Sequence, residues 1–248
     1  MSGYGQFCPV AKGAEVFAER WMPLILRELL CGSTHFNDLH RGVPLMSRSL
    51  LSQRLRRLEQ IGAVARKRGP SGSEYHLTEA GQDFAPIVQL LGTWGQRWYR
   101  TKFTRDELDV GLLMWDVRRG VQADALPPGR TTIQFIFSDQ PPAKRHWWLI
   151  SDGGDIDLCP KEPGFEVALY VRTDLRTMTR VWIGELPVSA AIRTGAVDLS
   201  GQRDLRRRFE QWLGLSCYAG IQDARRPSHR ASAVVRSPIP ERAVQIPN

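Results

Sequence analysis

Residues 36–77 contain, in order, a helix, a turn, a second helix and a hairpin, and this order restricts the folds open to the chain. The second helix begins after Ser47, and its leucines Leu51, Leu55 and Leu58 recur at spacings of four and three. At about 100° per residue, these leucines fall on one side of the helix. We therefore expect this helix to bury one face and to expose the other.

The exposed face of this helix and its flanks are rich in hydrogen-bond donors. The polar residues are Ser47, Arg48, Ser49, Ser52, Gln53, Arg54, Arg56 and Arg57. Side chains of this kind suit base edges and phosphate oxygens. An ordinary amphipathic surface helix is the alternative, because charge on a helix usually forms a solvated face.

The hairpin after this helix favours the first interpretation. Strand-like residues 64–68 and 74–77 flank a segment, 69–73, that is dense in turn formers. The first strand ends in three consecutive cations, Arg66, Lys67 and Arg68. Cations beside a tight hairpin suit a wing that lies along a phosphate backbone. Helix, turn, helix and basic wing together predict a domain that binds double-stranded DNA.

The charge of the chain is unevenly distributed. The net charge is +8, and residues 1–104 hold 14 Lys and Arg against 8 Asp and Glu, whereas residues 105–248 hold 20 against 18. A polyanionic partner is therefore expected for the first half. The 248 residues are enough for two compact domains. We expect a DNA-binding and dimerisation domain at 1–104, an α+β ligand domain at 105–217, and a disordered basic tail at 218–248.

Several classes of site and protein are disfavoured. The four cysteines lie far apart and no histidine stands at ligand spacing, so neither a metal site nor a disulfide framework is expected. The chain has no phosphate loop or nucleophile elbow, which predicts no catalytic residues, no cofactor and no enzyme activity. No membrane-length apolar segment or secretion signal is visible, so a cytoplasmic location is expected.

A heptad-like seam runs along the helix predicted from Thr78 to about residue 100. Its seam residues are Phe84, Ile87, Leu91, Trp94 and Trp98. Such a seam is typical of two helices that pack along each other, and it predicts a homodimer contact. Packing on the first helix of the same chain is the alternative. Pro86 predicts a kink or a break in this helix.

The second half changes character. A predicted helix at 105–119 is followed by strands at 131–138, 145–151, 156–158 and 165–173, and then by a run of helices. Turn formers separate the strands, so we expect an antiparallel meander. A run of strands followed by a run of helices predicts an α+β domain, and the whole chain is expected to be α+β with two domains.

The N-terminal part contains a series of short motifs, which are Phe7-Cys8-Pro9-Val10, Arg20-Trp21, Phe36-Asn37-Asp38-Leu39, Ser47, Leu51-Ser52-Gln53-Arg54-Leu55, Leu58-Glu59, Gly62, Tyr75-His76-Leu77-Thr78 and Gly81. These motifs resemble those of HxlR-type winged helix-turn-helix regulators. The resemblance covers about residues 7–100. It implies a bacterial homodimer that binds a palindromic operator. It also implies that Cys8 can act as a thiol sensor, although many members of the family keep this cysteine without a redox role.

After its run of strands, the second half contains the motifs Thr173-Asp174-Leu175, Ile183-Gly184-Glu185-Leu186 and Gly195-Ala196-Val197-Asp198-Leu199-Ser200-Gly201. With these motifs, about residues 105–215 are similar to the sterol carrier protein type 2-like fold. The resemblance implies an apolar tunnel for a lipid-like effector, lined by residues such as Met178 and Trp182. The alternative is that these residues form an ordinary core.

These patterns lead to two functional hypotheses. The first is a homodimeric transcription regulator that an apolar small molecule modulates. Arg54, Arg57 and the wing cations would contact phosphates, and Arg48, Ser49, Ser52 and Gln53 would contact base edges. The second is a lipid-binding carrier that uses its winged domain only for dimerisation.

Overall fold

The structure is a computed structural model, and it describes residues 3–70, 72–99, 103–221 and 224. Most of the predicted basic tail, 222–223 and 225–248, therefore lies outside the described residues. The first part of the fold has the order of a winged helix-turn-helix. Its elements are α1 (Pro9–Phe17), α2 (Met22–Leu30), α3 (Phe36–Gly42), α4 (Arg48–Gln60), β1 (Val64–Gly69), β2 (Gly72–Leu77), α5 (Glu79–Gln82) and α6 (Ala85–Trp98).

Helix α4 forms as its sequence pattern predicts. Ser47 caps it, because the Ser47 hydroxyl accepts a hydrogen bond from the Leu50 amide at 3.3 Å. Leu51, Leu55 and Leu58 are almost completely buried in the first core. The apolar stripe therefore holds α4 against the domain and leaves its polar side available.

The wing is an antiparallel hairpin of β1 and β2, in which Arg66 pairs with Tyr75 and Gly69 with Gly72. Tyr75 is buried, and its amide donates to the Thr34 carbonyl at 2.8 Å. This bond ties the hairpin to the segment that precedes α3. The wing therefore has a defined position relative to the helix-turn-helix.

The helix predicted from Thr78 to about residue 100 is broken in two, as Pro86 led us to expect. The short α5 is capped by the Thr78 hydroxyl, which accepts from the Gly81 amide at 3.3 Å. The longer α6 then starts at Ala85, with Pro86 in its first turn. Proline is tolerated there because the first amides of a helix have no intrahelical partner.

The second part is built around a sheet. Its elements are α7 (Val110–Gly120), a 3-10 turn (Ala123–Ala125), β3 (Thr131–Phe137), α8 (Pro142–Arg145), β4 (His146–Asp152), β5 (Asp155–Cys159), β6 (Leu169–Thr173), α9 (Leu175–Trp182), α10 (Val188–Arg193), β7 (Asp198–Gly201), α11 (Arg203–Arg207) and α12 (Phe209–Leu213). Helix α7 starts later than predicted, because Asp109 caps it by accepting from the Leu112 amide at 2.8 Å. The α+β fold class is confirmed.

The sheet itself is mixed, so the fully antiparallel meander was wrong in one pairing. The strand order is β5-β4-β3-β6-β7, and β6 lies parallel to β3, with Leu169 opposite Ile133. The connection at 160–168 carries the chain back to the end of the sheet at which β3 begins. In that place Leu169 and Val171 are completely buried. Turn formers mark where a strand ends, but they do not determine which neighbour the next strand joins.

The two parts have separate apolar cores and a direct contact between them. One core lies among α2, α3, α4 and the wing, and the other surrounds β3, β6, α7 and α9. Between them, the Trp115 indole of α7 donates to the buried Glu28 carboxylate of α2 at 3.3 Å. The second part therefore packs against the helices that support α4.

Candidate nucleic-acid interface

The turn between α3 and α4 is held by a side chain. His40 Nε2 lies 2.9 Å from the Met46 carbonyl oxygen, so the imidazole bridges the last turn of α3 and the residue before the α4 cap. Ser47 then starts α4. This contact sets the direction in which α4 leaves the turn.

The outer face of α4 contains polar side chains that are open to solvent. Ser49, Gln53 and Arg56 are exposed, and Arg57 is half-buried. An open groove of about 610 Å³ runs along this face, and it is lined by Ser49, Leu50, Gln53, Arg54, Arg56, Arg57 and Gln60. Residues at these spacings lie on adjacent turns, so their donors can reach one strip of a ligand surface.

Arg56 was placed on the polar face from sequence, but it was not assigned a DNA contact. It follows Gln53 by three positions and is exposed on the same face, with its Nε donating to the Ser52 carbonyl oxygen at 3.3 Å. The helical spacing from Gln53 was the signal for including it.

Two predicted contact residues have structural partners in this conformation, and a third is partly covered. Ser47 caps α4, and Ser52 is half-buried. Arg48 lies over the Phe36 ring at 4.9 Å and donates to the Asn37 side-chain oxygen at 2.7 Å. Arg48 would have to leave α3 before it could reach a base edge.

Arg54 lines the groove, but its guanidinium is engaged within the domain, contrary to the expectation of a phosphate contact. Its side chain is only 12% exposed, and its Nη1 lies 2.6 Å from Glu19 Oε1. Its Nε also donates to the Arg20 carbonyl oxygen at 3.3 Å. The helical position of Arg54, between the leucine face and the polar face, turns its guanidinium toward the segment after α1. Arg54 therefore fastens α4 to the domain.

The three wing cations are exposed, but they do not point the same way. Side chains alternate along a strand, so Arg66 and Arg68 share one face of β1 and Lys67 lies on the other. Arg66 is positioned by a 2.8 Å hydrogen bond to the Ser73 hydroxyl. Arg66 and Arg68 are therefore the pair that can face one phosphate strand.

The seam on α6 lies largely on the surface. Ile87, Leu91, Trp94 and Trp98 are between 45% and 56% exposed, and none of the residues of α6 is buried. Phe84 differs, because its ring stacks on Phe17 of α1 with 5.8 Å between centroids. Packing on the first helix of the same chain therefore accounts for Phe84 and not for the rest of the seam.

Further apolar side chains are exposed near the chain start and on the same helix. They are Phe7, Val10 and Leu90, which are 98%, 79% and 68% exposed. The sequence motif that contains Phe7 and Val10 did not predict a contact surface, and Leu90 lies one residue before the seam residue Leu91.

Cys8 is half-buried at the start of α1, where it precedes Pro9. Lys12, the cation one turn further on, is engaged with Glu15, with 3.1 Å between Nζ and Oε1. The thiol-sensing role of Cys8 stays a prediction.

Neither of the pocket residues expected in the second part lines the groove on α4 or the cavity described below. Met178 is completely buried in the second core, and Trp182 is half-buried at its edge. The buried side of α9 is filled by its neighbours in the sheet, as in an ordinary core. A different cavity, lined by neither residue, lies where the two parts meet.

Neither a metal-binding cluster nor a membrane-spanning helix is found among the described residues. No group of three or more His, Cys, Asp or Glu residues in this part of the chain could hold a metal ion. Among the helices in the same ranges, none combines the length and apolarity needed to cross a bilayer.

Comparisons with known proteins assign the first part. A sequence model of the HxlR-like helix-turn-helix family matches residues 16–103. The HTH-type transcriptional regulator YvaP of Bacillus subtilis is 34% identical over 102 residues, which are 40% of this chain and 94% of YvaP. The HTH-type transcriptional regulator YkvN of the same organism is 33% identical over 99 residues, 39% of this chain and 84% of YkvN.

A solved structure is also similar over the same part. The reduced form of the transcriptional regulator YodB from B. subtilis is 29% identical, with a TM-score of 0.33, and the match covers 37% of this chain and 93% of YodB. The family match and the relatives agree with the helix-turn-helix and wing described above. This chain belongs to the HxlR-like helix-turn-helix family of transcriptional regulators.

Proposed function

We propose that this DNA-binding regulator acts as a homodimer on a palindromic operator and that a small molecule modulates it. The observation that carries the proposal is the exposed polar face of α4 beside a basic wing. A two-fold dimer presents two such faces to two half-sites one helical turn apart, which accounts for a palindrome.

Each element of this interface has an assigned role. Ser49 and Gln53 read base edges, because they are exposed on the outer face of α4 and carry hydrogen-bonding groups. Arg56, Arg57 and the wing residues Arg66 and Arg68 contact phosphates. Arg48 and Ser52 contribute only if their side chains rearrange on binding.

The exposed seam of α6 supports the dimer. Trp94 and Trp98 expose about half of their surface, and large apolar patches on soluble proteins commonly mark interaction sites. A second copy of the same helix offers a matching surface, since a two-fold interface uses the same patch on both subunits.

The base-reading role is tested with Gln53→Ala. A duplex selected by the protein from a random pool should lose affinity by about 1–3 kcal/mol, because one base contact is removed. Binding to a random duplex should change little. Gln82→Ala, on the exposed surface of α5, is the matched control. Equal losses on both duplexes would remove Gln53 from base reading.

The wing is tested by the salt dependence of binding. The plot of log affinity against log salt should become shallower by about 0.9 for each phosphate interaction that a substitution removes. We expect this change for Arg66→Ala and Arg68→Ala, which alter one face of β1. Lys67→Ala should leave the slope unchanged, because its side chain lies on the opposite face. If all three variants keep the wild-type slope, the wing does not contact phosphate.

The sterol-carrier resemblance of the second part remains a proposal about its fold. A mixed sheet covered by helices is compatible with the sterol-carrier fold. The completely buried Met178, however, argues for a filled core rather than a ligand tunnel. The carrier hypothesis predicts saturable binding of a fluorescent fatty acid and no binding to the selected duplex. We expect binding to the selected duplex and no saturable binding of the fatty acid.

A further inference from the structure

A cavity of about 250 Å³ lies between the helix-turn-helix and the second part. One wall comes from the end of α3 and the following turn, and the other from α7, β4, β5 and the residue after β5. Its lining includes Arg41, Pro44, Leu112, Trp115, Trp147 and Leu158. This volume is just below the usual range of drug-sized pockets, about 300–1,000 Å³, so a molecule of one or two rings would fit.

The walls of this cleft favour a flat apolar ligand. The indole of Trp147 and the side chains of Leu112 and Leu158 provide apolar surface. Trp115 also lines the cleft, but its side chain is almost completely buried and the Arg41 guanidinium lies over its ring at 5.2 Å. Gly111 has no side chain beside Trp147, and a Cβ there would make an ordinary van der Waals contact with the ring, 3.6 Å from its nearest carbon. Aromatic rings gain from offset or edge contacts with indoles in addition to the apolar area that they bury.

The charges at the cleft favour an anion. Arg41 lies on the rim with a side chain that is 59% exposed, and it forms an ion pair with Asp38 one turn earlier, at 2.9 Å. An exposed pair of this kind contributes little, so Arg41 can exchange Asp38 for a ligand carboxylate. Asp109, the acidic residue of the lining, is already occupied as the cap of α7, and Lys144 Nζ lies 3.9 Å from its other oxygen.

We infer that this cleft binds a small aromatic carboxylate, with the rings against Trp147 and the carboxylate on Arg41, whose guanidinium lies over the Trp115 ring. This assignment goes beyond the proposed function by giving the effector a site and a chemical class. The planar guanidinium of arginine matches a carboxylate with two parallel hydrogen bonds.

A ligand in the cleft would contact residues that are linked to the helix-turn-helix in two ways. Pro44 belongs to the turn before α4, and His40 holds that turn through the Met46 carbonyl oxygen. Trp115 donates to Glu28 of α2 from the other wall. A ligand that prefers one arrangement of this turn shifts DNA affinity by its differential affinity for the two arrangements. This regulatory step rests on the proposed function, whereas the binding step does not.

The binding step is tested by calorimetric titration of the full chain with 2-naphthoate and with neutral 2-naphthalenemethanol. We expect saturable 1:1 binding of 2-naphthoate, at least tenfold tighter than the alcohol. Arg41→Gln should abolish this preference, and Leu112→Trp should weaken both ligands at least tenfold by filling the cleft. Arg193→Gln and Ile192→Trp, at exposed positions of α10, are the matched controls. Circular dichroism confirms that each variant is folded.

The possible outcomes separate the parts of the inference. No saturable binding of either probe, or binding unaffected by Leu112→Trp, would overturn the site. Equal affinity for both probes would overturn the carboxylate class. The regulatory step predicts that 2-naphthoate shifts affinity for the selected duplex at least threefold in the wild type and not in Leu112→Trp. An unchanged affinity would overturn that step alone, and absence of DNA binding without any ligand would overturn the proposed function instead.

Discussion

Glu28 is a carboxylate with no exposed surface, and its partners come from both parts of the chain. Arg27 donates to it from the neighbouring position at 2.6 Å, while Arg119 and the Trp115 indole donate from α7. Although burial opposes a charge on Arg27, the adjacent Glu28 carboxylate raises the pKa of Arg27 above its ordinary value. A buried group with this many donors is satisfied only when α2 and α7 are in contact.

The same cluster contains a second carboxyl group that is harder to ionise. Burial raises the pKa of Asp116, although Arg27 and Arg119 counteract part of that effect. A folded-state pKa above the unfolded value gives stability that is present at low pH and is lost as pH rises through the folded pKa. Asp116 therefore opposes, rather than adds to, the stability of the cluster at neutral pH.

We predict that Glu28→Gln destabilises the protein by about 3–5 kcal/mol, since removing one partner of a buried ion pair leaves charges without compensation. The two guanidinium groups of Arg27 and Arg119 would then face a neutral amide. Urea unfolding followed by circular dichroism measures the change. Asp124→Asn, at an exposed position, should alter stability by no more than about 0.5 kcal/mol. Equal effects of the two substitutions would contradict the structural role of Glu28.

Among the helices, α4 exposes a polar surface, whereas α6 exposes an apolar one. Helix α4 buries Leu51, Leu55 and Leu58 and exposes polar groups, which is the pattern of a surface helix. Helix α6 exposes Leu91 and Trp94 and buries no residue completely. An apolar helix in this situation is expected to cover its exposed side with another chain.

We predict that Leu91→Glu or Trp94→Glu converts the dimer to a monomer without unfolding it. Each substitution places a charge in a surface that we expect to be desolvated between two copies. Light scattering coupled to size exclusion measures the mass at micromolar concentrations. Gln89→Glu, which is exposed about half a turn away from Leu91, should leave the dimer intact. A wild-type chain that is monomeric throughout this range would refute the seam as a dimer contact.

On the scale of the whole molecule, two cores share a polar connection. Besides the Glu28 cluster, Gln96 of α6 donates to the Ile183 carbonyl oxygen at 3.1 Å. The ring of Tyr218 also lies against Gly92, where a Cβ would be 2.2 Å from the ring. Gly92 therefore permits a close approach between α6 and the segment after α12.

We predict that these contacts make the two parts unfold together. Calorimetry of the wild type should show one transition whose calorimetric and van't Hoff enthalpies agree. Arg119→Met removes the guanidinium that links α7 to Glu28, and it should separate the trace into two transitions. Arg193→Met, at an exposed position, is the control. A single transition in Arg119→Met would show that the Glu28 cluster does not couple the parts.

The parts of the site that follow a local rule were predictable from sequence. The spacing of Leu51, Leu55 and Leu58 identified the buried side of α4, and Pro86 identified the break before α6. Arg54 was misassigned because its helical position lies between the two faces. Only the nearby Glu19 decided that its guanidinium turns inward.

Periodicity, capping and turn chemistry act over a few residues, and they determined the winged helix-turn-helix, the basic hairpin and the α+β character of the second part. Long-range contacts decided the rest. The parallel pairing of β6 with β3, the burial of Met178 and the contact of Glu28 with α7 each join residues that are distant in the chain. Such contacts depend on how the elements pack, and local patterns do not encode the choice of partner. The same packing, rather than any motif, created the cleft beside the turn of the helix-turn-helix.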